Sequence, residues 1–486
     1  MNILFKTSKK IQVPAILKKF GKIFEDAGFE SYLVGGAVRD MFLKKEASDW
    51  DVATNATPQQ VMSLFKVVIP TGIDHGTVTV HFMKKEIEVT TFRTESNYSD
   101  GRHPDNVSYA STIEKDLSRR DFTINAIAVN LRDGKIKDPF HGRRDIKKKI
   151  IQTVGKAHER FSEDGLRPIR AIRFASKLGF CIKKSTYIEI FDTEIQKKIH
   201  SISIERFRDE FEKIIKSQKP SVGLKLLEET GLLNMFIPEF TICRNCIQSD
   251  YRGFHKFDVL DHLFYACDGA PSEKLNVRLA ALFHDIGKPA AKRIQEEEVI
   301  DGYKSDGSMK KIKTITFYNH EKYSTEITKK IMIRLKFSNE MINNVCHLVK
   351  EHMFHYEETW TDAAVRRFII RVKPECMEDL FDLRLADMYG MFNEKIEYRY
   401  SKAVDLLVEL KDRIAEIMEK QNALSLKDLA VNGKDLMNSG IQSGKKLGII
   451  LNKLLDCVIE DPELNKKDKL IEIGIKLNEN YTLCNE

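Results

Sequence analysis

Two sets of residues in this chain have the types and spacing to do chemistry. The first is a pair of aspartates, Asp49 and Asp51, in SDWDVAT. On a strand, residues i and i+2 point to the same face, so both carboxylates are expected to converge on one spot. Two unpaired carboxylates that close repel unless a cation sits between them. All-oxygen ligation beside a polyphosphate suits Mg²⁺, which keeps waters and shares phosphate oxygens. Such ions activate an attacking hydroxyl and stabilise a leaving pyrophosphate. A DxD alone is a common turn or cap. Here it follows YLVGGAVRDMF, where a strand ends at Gly35-Gly36 and a helix starts at once. Paired glycines let the backbone pass close to a bulky anion, and amides at a helix start attract phosphate. Glu88, on the strand IEVTTF, is read as a solvated strand residue and left out of the metal site.

The second set is a series: His262 in DVLDHLFYA, His284-Asp285 in LAALFHDIGK, His320 in TFYNHEKYS, His352 in LVKEH and Asp387 in LRLADMYG. Imidazoles and carboxylates on different helices can converge inside a bundle. An adjacent His-Asp pair in an apolar helix is costly unless something polar meets it, and a metal would. His255, seven residues before His262, is read as a surface residue.

Local sequence indicates which elements must position these groups. SYLVGG, SDWDVAT, GTVTVHF and IEVTTF read as strands bounded by Gly, Asp and Asn. VPAILKKFGKIFEDAGF has helical spacing and ends at a glycine. From about Ile150 apolar residues recur every three or four positions and strand signals nearly vanish. KPSVGLKLLEETGLLNMFIPEF is a helix–Gly–turn unit closed by Pro238, and RIQEEEVIDGYKSDGSMKKIKTITF reads as a loop or hairpin between helices. The expected fold class is α+β: a small α/β head on a mixed sheet, then an all-helical remainder. The boundaries follow as a head over 1–150, a neck and body over 151–250, a metal-bearing helical domain over 251–400 and a helical tail over 401–486.

Bulk properties set limits on this plan. At 486 residues several domains are expected. With 42% hydrophobic and 31% charged residues and no apolar run of membrane-spanning length, no membrane partner is expected. MNILFKTSKKIQVP lacks an apolar core and a small-residue cleavage site, so no signal peptide and a cytoplasmic location are expected. The eight cysteines are expected to stay reduced, and Cys243 with Cys246 makes one CxxC without a second pair at zinc spacing. The net charge of +7 is mild, with one basic cluster, HGRRDIKKKIIQTVGKAHER.

Several motifs occur in a set order: GGAVRD, DWD, TFRTESNYSDGRHPDNV, LSRRDFTINAIA, DPFHGRRDI and EDGLRPIRAIRFASKLGF. This order resembles that of class II tRNA nucleotidyltransferases and bacterial poly(A) polymerases, from about Tyr32 to Phe240. The resemblance implies that Asp49 and Asp51 hold Mg²⁺ and that Gly35, Gly36 and Arg39 shape the triphosphate loop. Arg119, Arg120, Asp121 and Asn125 would contact the ribose and phosphates of the incoming nucleotide; arginine suits bidentate grip of phosphate. Glu163, Asp164, Arg167 and Arg170 correspond to the nucleotide-selecting segment, with Asp164 and Arg167 presenting the Watson–Crick edge of CTP or ATP from adjacent turns of one helix. Pro168 stands where leucine is expected; it is tolerable in a first helical turn. The stretch with Arg93, Tyr98, Gly101 and Arg102 resembles the flexible loop that switches C to A addition. The second series is similar to the HD superfamily of metal-dependent phosphohydrolases over about Phe254 to Met391. That similarity implies one divalent transition metal at His262, His284, Asp285 and Asp387, with His320 and His352 able to hold a second. The tail, NGKDLMNSGIQSGKKLGIILNKLL, resembles that of HD-bearing members and would contact tRNA.

The implied activity is CCA addition to tRNA from CTP and ATP. An A-adding or poly(A)-adding enzyme, a signalling phosphohydrolase with a nucleotide-sensing head, and an RNA-binding scaffold are the alternatives.

Overall fold

Apolar alternation in the first third of the chain builds a mixed sheet; helical spacing takes over after it. The computed structural model describes residues 10–46, 49–73, 76–96, 106–248, 256–303, 309–393, 402–420 and 425–483, with the side chains of 95–96, 106–108, 296–303, 309–313 and 480–483 excepted. The chain divides into two compact units, Met1–Pro238 and Glu239–Glu486.

In the first unit the strands are β1 (Ser31–Val34), β2 (Trp50–Thr54), β3 (Val68–Gly72), β4 (Thr77–Phe82), β5 (Lys85–Thr91), β6 (Arg93–Ser96), β7 (Asn106–Tyr109), β8 (Ala128–Asn130) and β9 (Ile136–Lys137). Seven of them form one sheet in the order β3-β4-β5-β2-β1-β8-β9. The β2–β5 pair is parallel and places Asp51 opposite Glu88; β1 runs antiparallel to β2, with Val34 opposite Asp51. The helices of the head are α1 (Ala15–Asp26), α2 (Gly35–Phe42), α3 (Pro58–Leu64), α4 (Ile113–Ser118) and α5 (Gly142–Lys148). Helix α1 buries Phe20 and Phe24, whose rings pack with Phe65 and Phe82. Tyr32, Val34, Ala53, Phe92 and Leu117 form a second apolar cluster that anchors β1 and α4.

The helical part of this unit contains α6 (Ala157–Glu163), α7 (Arg167–Leu178), α8 (Lys184–Ile188), α9 (Thr193–His200), α10 (Ile204–Ile215), α11 (Pro220–Glu229) and α12 (Leu232–Phe236). The expected helix–Gly–turn unit is present: Gly231, at φ 75°, separates α11 from α12. Two short strands, β10 (Ile150–Ile151) and β11 (Cys181–Ile182), pair in parallel beneath α7 and carry no strong strand signal of their own.

The second unit consists of α13 (Val259–Gly269), α14 (Leu275–Phe283), α15 (Lys288–Ala291), a β12–β13 hairpin (Arg293–Tyr303 with Met309–Thr316), α16 (His320–Arg334), α17 (Asn339–Glu351), α18 (Asp362–Val372), α19 (Met377–Phe392), α20 (Lys402–Glu419), α21 (Gly433–Asn438), α22 (Lys445–Glu460) and α23 (Lys467–Leu483). The segment expected to be a loop or hairpin is thus a hairpin. Leu436, Ile450, Leu454, Val458 and Leu470 form the core of the last helices. Among the described residues, no helix is long and apolar enough to cross a membrane.

Candidate functional site: two polar centres, one in each unit

The first centre begins at the junction of β1 and α2. Gly35 has φ 70°, which an L side chain adopts at a cost. A Cβ there would lie 3.1 Å from Arg120 Nη1 and 3.2 Å from Asp51 Oδ2. The glycine therefore lets a cation and a carboxylate close on the start of α2, whose cap residue, Val34, offers no side-chain acceptor. Around this point lies a cavity of about 350 Å³ lined by Val34, Asp51, Glu88, Arg93, Arg119, Arg120, Asp121, Asp164, Arg167 and Arg170, among others.

Carboxylates and arginines share this cavity. Burial, then the neighbouring Glu88 and Asp49, push Asp51 up to about 6, against the opposing pull of Arg120. Crowded carboxylates of this kind are the donor set that a hard, oxygen-seeking cation fits. Asp49 sits one residue before β2 and is exposed. Strand alternation therefore does not hold it as firmly as Asp51, contrary to the expected pair on one strand. Glu88, read as a solvated strand residue, is exposed as expected, and it also stands opposite Asp51 and lines the cavity. On the alternating strand KEIEVTT an exposed glutamate gives no local signal; the parallel register makes it a neighbour of Asp51.

Four other predicted residues form a network. Asp121 Oδ2 accepts Arg170 Nε at 2.9 Å and Nη2 at 2.7 Å. Its Oδ1 accepts the Phe122 amide at 2.8 Å and Asn125 Nδ2 at 3.2 Å. Burial opposes the charge, but Arg170 and these donors hold Asp121 at about 2. Asp121 thus braces Arg170 and Asn125, and its oxygens are already engaged. Asn125 in turn accepts Arg39 Nη1 at 2.9 Å, and Arg39, buried over the Phe174 ring, also bonds Asp40. Arg39 fixes α2 against this network. A Cβ at Gly36 would lie 3.5 Å from Arg39 Nη2.

Asp116 is buried and was not singled out from sequence. It accepts Arg119 at 2.7 and 3.0 Å and Arg120 at 3.5 Å. Burial disfavours its charge; Arg119 and Arg120 hold its carboxyl below the usual range all the same. Two cations that face the cavity are thereby oriented from behind.

The expected placement of Asp164 and Arg167 on one helix is corrected. Helix α6 ends at Glu163, Asp164 is extended at φ −147°, and Arg167 opens α7. Pro168 explains the break: inside a continuous helix its ring would meet the Asp164 carbonyl, and it has no N–H to give. At N2 of a new helix it costs nothing. Asp164 is gripped by Arg206 of α10, whose Nη2 reaches both oxygens at 3.0 and 2.9 Å. Glu163 bonds Arg160 at 2.8 Å and also Arg167. Glu210, buried on α10, pairs with Arg173 and lies 3.8 Å from Arg170. Arg206 and Glu210 are distant in sequence from their partners, so no local pattern announces them. Of the predicted loop, Arg93 is described and lines the cavity, while Tyr98, Gly101 and Arg102 lie outside the described residues.

The second centre collects residues from α13, α16 and α19 and from just past the C-terminal ends of α14 and α17. His262, His284, Asp285 and Asp387 form one cluster of donor atoms; Asp285, His320 and His352 form another, all buried. His262 Nε2 lies 3.1 Å from His284 Nε2, 3.3 Å from Asp285 Oδ2 and 3.3 Å from Asp387 Oδ1. His320 Nε2 lies 3.2 Å from His352 Nε2 and 2.9 Å from Asp285 Oδ1. Asp285 therefore faces one cluster with each oxygen. Gly287 makes this possible: a Cβ there would lie 2.4 Å from the Ser324 amide and 2.7 Å from the His320 carbonyl. Its absence lets the start of α16 approach the His284-Asp285 turn.

Histidine tautomers can be inferred from the outer nitrogens. Nδ1 of His284, His320 and His352 lies 2.8, 2.8 and 2.6 Å from the carbonyls of Ala281, Phe317 and Val349. A carbonyl requires the Nδ1 proton, which leaves the Nε2 lone pair of the neutral ring pointing inward. The facing lone pairs of His320 and His352, 3.2 Å apart, repel unless a cation bridges them. With metal–nitrogen bonds of about 2.1 Å, a tetrahedral site has edges of about 3.4 Å, close to the spacings found here. Burial disfavours charge on His284, yet Asp285 and Asp387 raise it to about 10 and are themselves held well below their usual range, so the carboxylates favour positive charge at this point, as a proton on His284 or as a metal ion that displaces it. The cluster favours a bound cation. Beside it is a cavity of about 460 Å³ that includes Asp285, Lys288, Phe317, His320, His352, Arg384 and Asp387 in its wall. His255 lies outside the described residues.

Three segments of the chain match known family models. Residues 31–152 match the family model described as Poly A polymerase head domain, and 179–243 match "Probable RNA and SrmB- binding site of polymerase A". Residues 311–473 match a tRNA nucleotidyltransferase domain 2. The mixed sheet and the carboxylate–arginine cavity lie within or border residues 31–152, the segment that matches this head-domain model. The particular relatives are more specific. The chain is 48% identical over 205 residues to the CCA-adding enzyme of Oceanobacillus iheyensis, covering 42% of this chain and 50% of that protein. It is 46% identical over 211 residues to that of Lactobacillus johnsonii, covering 43% and 52%. These matches thus span about half the length of the curated relatives. The crystal structure of the Bacillus stearothermophilus CCA-adding enzyme in complex with CTP is alike over 96% of this chain and 98% of its own, with 26% identity and a TM-score of 0.70. A Thermotoga maritima CCA-adding enzyme complexed with tRNA shares the fold at 19% identity and TM-score 0.55, covering 95% and 94%.

Proposed function

We propose that this chain is a CCA-adding tRNA nucleotidyltransferase, which joins C, C and A from CTP and ATP to the tRNA 3′ end without a nucleic-acid template. The observation that carries this is the 350 Å³ cavity, where Asp51 and Glu88 meet five arginines and Asp164. The Bacillus stearothermophilus structure, alike over nearly the whole chain, holds CTP. Mg²⁺ bound at Asp49, Asp51 and Glu88 would activate the tRNA 3′-hydroxyl and stabilise the leaving pyrophosphate. Arg119 and Arg120, oriented by Asp116, hold the phosphates. Asp164, fixed by Arg206, accepts a hydrogen bond from the exocyclic amino group that cytosine and adenine share. Arg167, tied to Glu163, stands next to it as the donor. A tRNA substrate places the protein in the cytoplasm.

The test extends tRNA lacking its last three nucleotides, with Mg²⁺ and CTP, ATP or both, read at single-nucleotide resolution. Two additions with CTP and completion with both support CCA synthesis. Incorporation of A alone, onto tRNA ending in CC or onto generic RNA, moves the function to A addition or polyadenylation.

For the C-terminal unit we infer an HD-type, metal-dependent phosphohydrolase, favoured by the two donor clusters that share Asp285. Residues His262, His284, Asp285 and Asp387 would hold a transition metal and His320 with His352 a second; bound metal supplies a Lewis acid and an activated water. Unchanged phosphatase activity and metal content in His284→Ala would refute this.

A further inference from the structure

The cavity beside the second centre carries two cations that the metal-ligand series does not include. Lys288 is buried and already engaged, its Nζ 2.6 Å from Asp285 Oδ2 and 2.7 Å from Gln248 Oε1. Arg384 lies on α19, one helical turn before Asp387, and its Nη1 donates to Asp387 Oδ2 at 3.0 Å. Asp387 presents its other oxygen, Oδ1, to His262 and His284. Arg384 thus sits at the edge of the donor cluster, with its side chain 26% exposed and in the cavity wall. Among the described residues Asp387 is the acceptor it meets, and guanidinium carries five donors in a planar fork. Outside the donor clusters, the cavity's charged lining is Lys288 and Arg384 against Glu321. A positive wall with a spare planar fork beside a cation-seeking cluster suits a phosphoryl group, whose oxygens accept in pairs.

We propose that Arg384 grips a phosphoryl oxygen of the substrate, which makes it the residue that selects phosphate esters in this cavity. The proposal rests on the metal-dependent hydrolase assignment of the C-terminal unit. A neutral ester would offer no anionic oxygen to the donors of the fork that Asp387 does not engage. Arg384 has a second contact, to Asp387, so its role in orienting that ligand must be separated from its role toward substrate.

The full-length protein is loaded with Mn²⁺ and its metal content measured after gel filtration. Inorganic phosphate binding is then followed by calorimetry, and p-nitrophenyl phosphate hydrolysis is assayed in parallel. Wild type, Arg384→Ala and Arg384→Lys are compared. The expected result is unchanged metal content in both variants and phosphate affinity weakened roughly tenfold to a hundredfold in Arg384→Ala. Arg384→Lys should recover part of the loss, with the effect on hydrolysis appearing in KM. Loss of metal with unaltered phosphate affinity per loaded site would overturn the proposal and leave Arg384 as a support for Asp387. Wild type that binds metal but no phosphate would also overturn it while sparing the metal site. Wild type that takes up no metal would remove the hydrolase assignment itself, and the proposal with it.

Discussion

Asp121→Asn tests the network that holds the nucleotide cavity in shape. Asp121 is near 2 against an ordinary 3.8, because Arg170, then Asn125 and the charge of Arg167, outweigh the cost of burial. At about 1.4 kcal/mol per pH unit, that lowering is on the order of 2–3 kcal/mol of stability. The sign follows from the lowered value. The unfolded chain takes up the proton first, so the contribution is complete above pH 3.8 and disappears as pH falls through about 2. Roughly 1 kcal/mol is already gone at pH 3. Asparagine keeps the shape but not the charge, and leaves Arg170 with Glu210 at 3.8 Å. The chain has two tryptophans, Trp50 in the first unit and Trp360 in the second. In a Trp360→Phe background, Trp50 fluorescence reports urea unfolding of the first unit. The variant should be about 2–3 kcal/mol less stable at pH 7, and the gap should narrow towards pH 3. Equal stabilities at pH 7, or a gap that stays constant down to pH 3, would refute the account of Asp121 as a charged brace.

Other consequences can be checked one by one. Arg206→Ala frees Asp164; kcat/KM for CTP and ATP should fall roughly tenfold and discrimination against UTP weaken, measured by single-turnover incorporation. Glu88→Gln should raise the Mg²⁺ concentration for half-maximal incorporation by roughly tenfold, and an unchanged Mg²⁺ titration would return Glu88 to the solvent. Gly287→Ala drives a Cβ to within 2.4 Å of the Ser324 amide, so about 1–3 kcal/mol of stability should be lost. Metal uptake should fall with it, as read by elemental analysis. Chelation should lower the unfolding midpoint of the second unit, followed by Trp360; at ligand a hundredfold above Kd the stabilisation is about 2.7 kcal/mol.

Much of the chemistry was written locally. Gly35 before AVRDMF and Asp51 at the head of β2 depend on a turn and an alternation, both set by neighbours in sequence. The donor series His262, His284, Asp285, His320, His352 and Asp387 was likewise visible, because polar groups in apolar helices need a partner. Its members do gather into two clusters. Sequence alone did not show how Asp164 and Arg167 are arranged. A helical spacing put them on one helix, whereas Pro168 splits that helix and Arg206, 42 residues away, holds Asp164. Glu88 reads as a surface residue and is one; that it stands beside Asp51 follows only from the parallel register of β5 on β2.

The division has a physical cause. Sequence determines what depends on a residue and its near neighbours: the phosphate-loop turn, the position of Asp51, the helices and the kinds of ligand they carry. Tertiary structure decides what depends on strand register and helix packing, for which spacing along the chain has no memory. It selects Asp116 and Arg206 as the groups that aim the cavity's arginines and carboxylate. It also divides the two oxygens of Asp285 between the two histidine pairs, and it places Arg384 at the edge of their cavity.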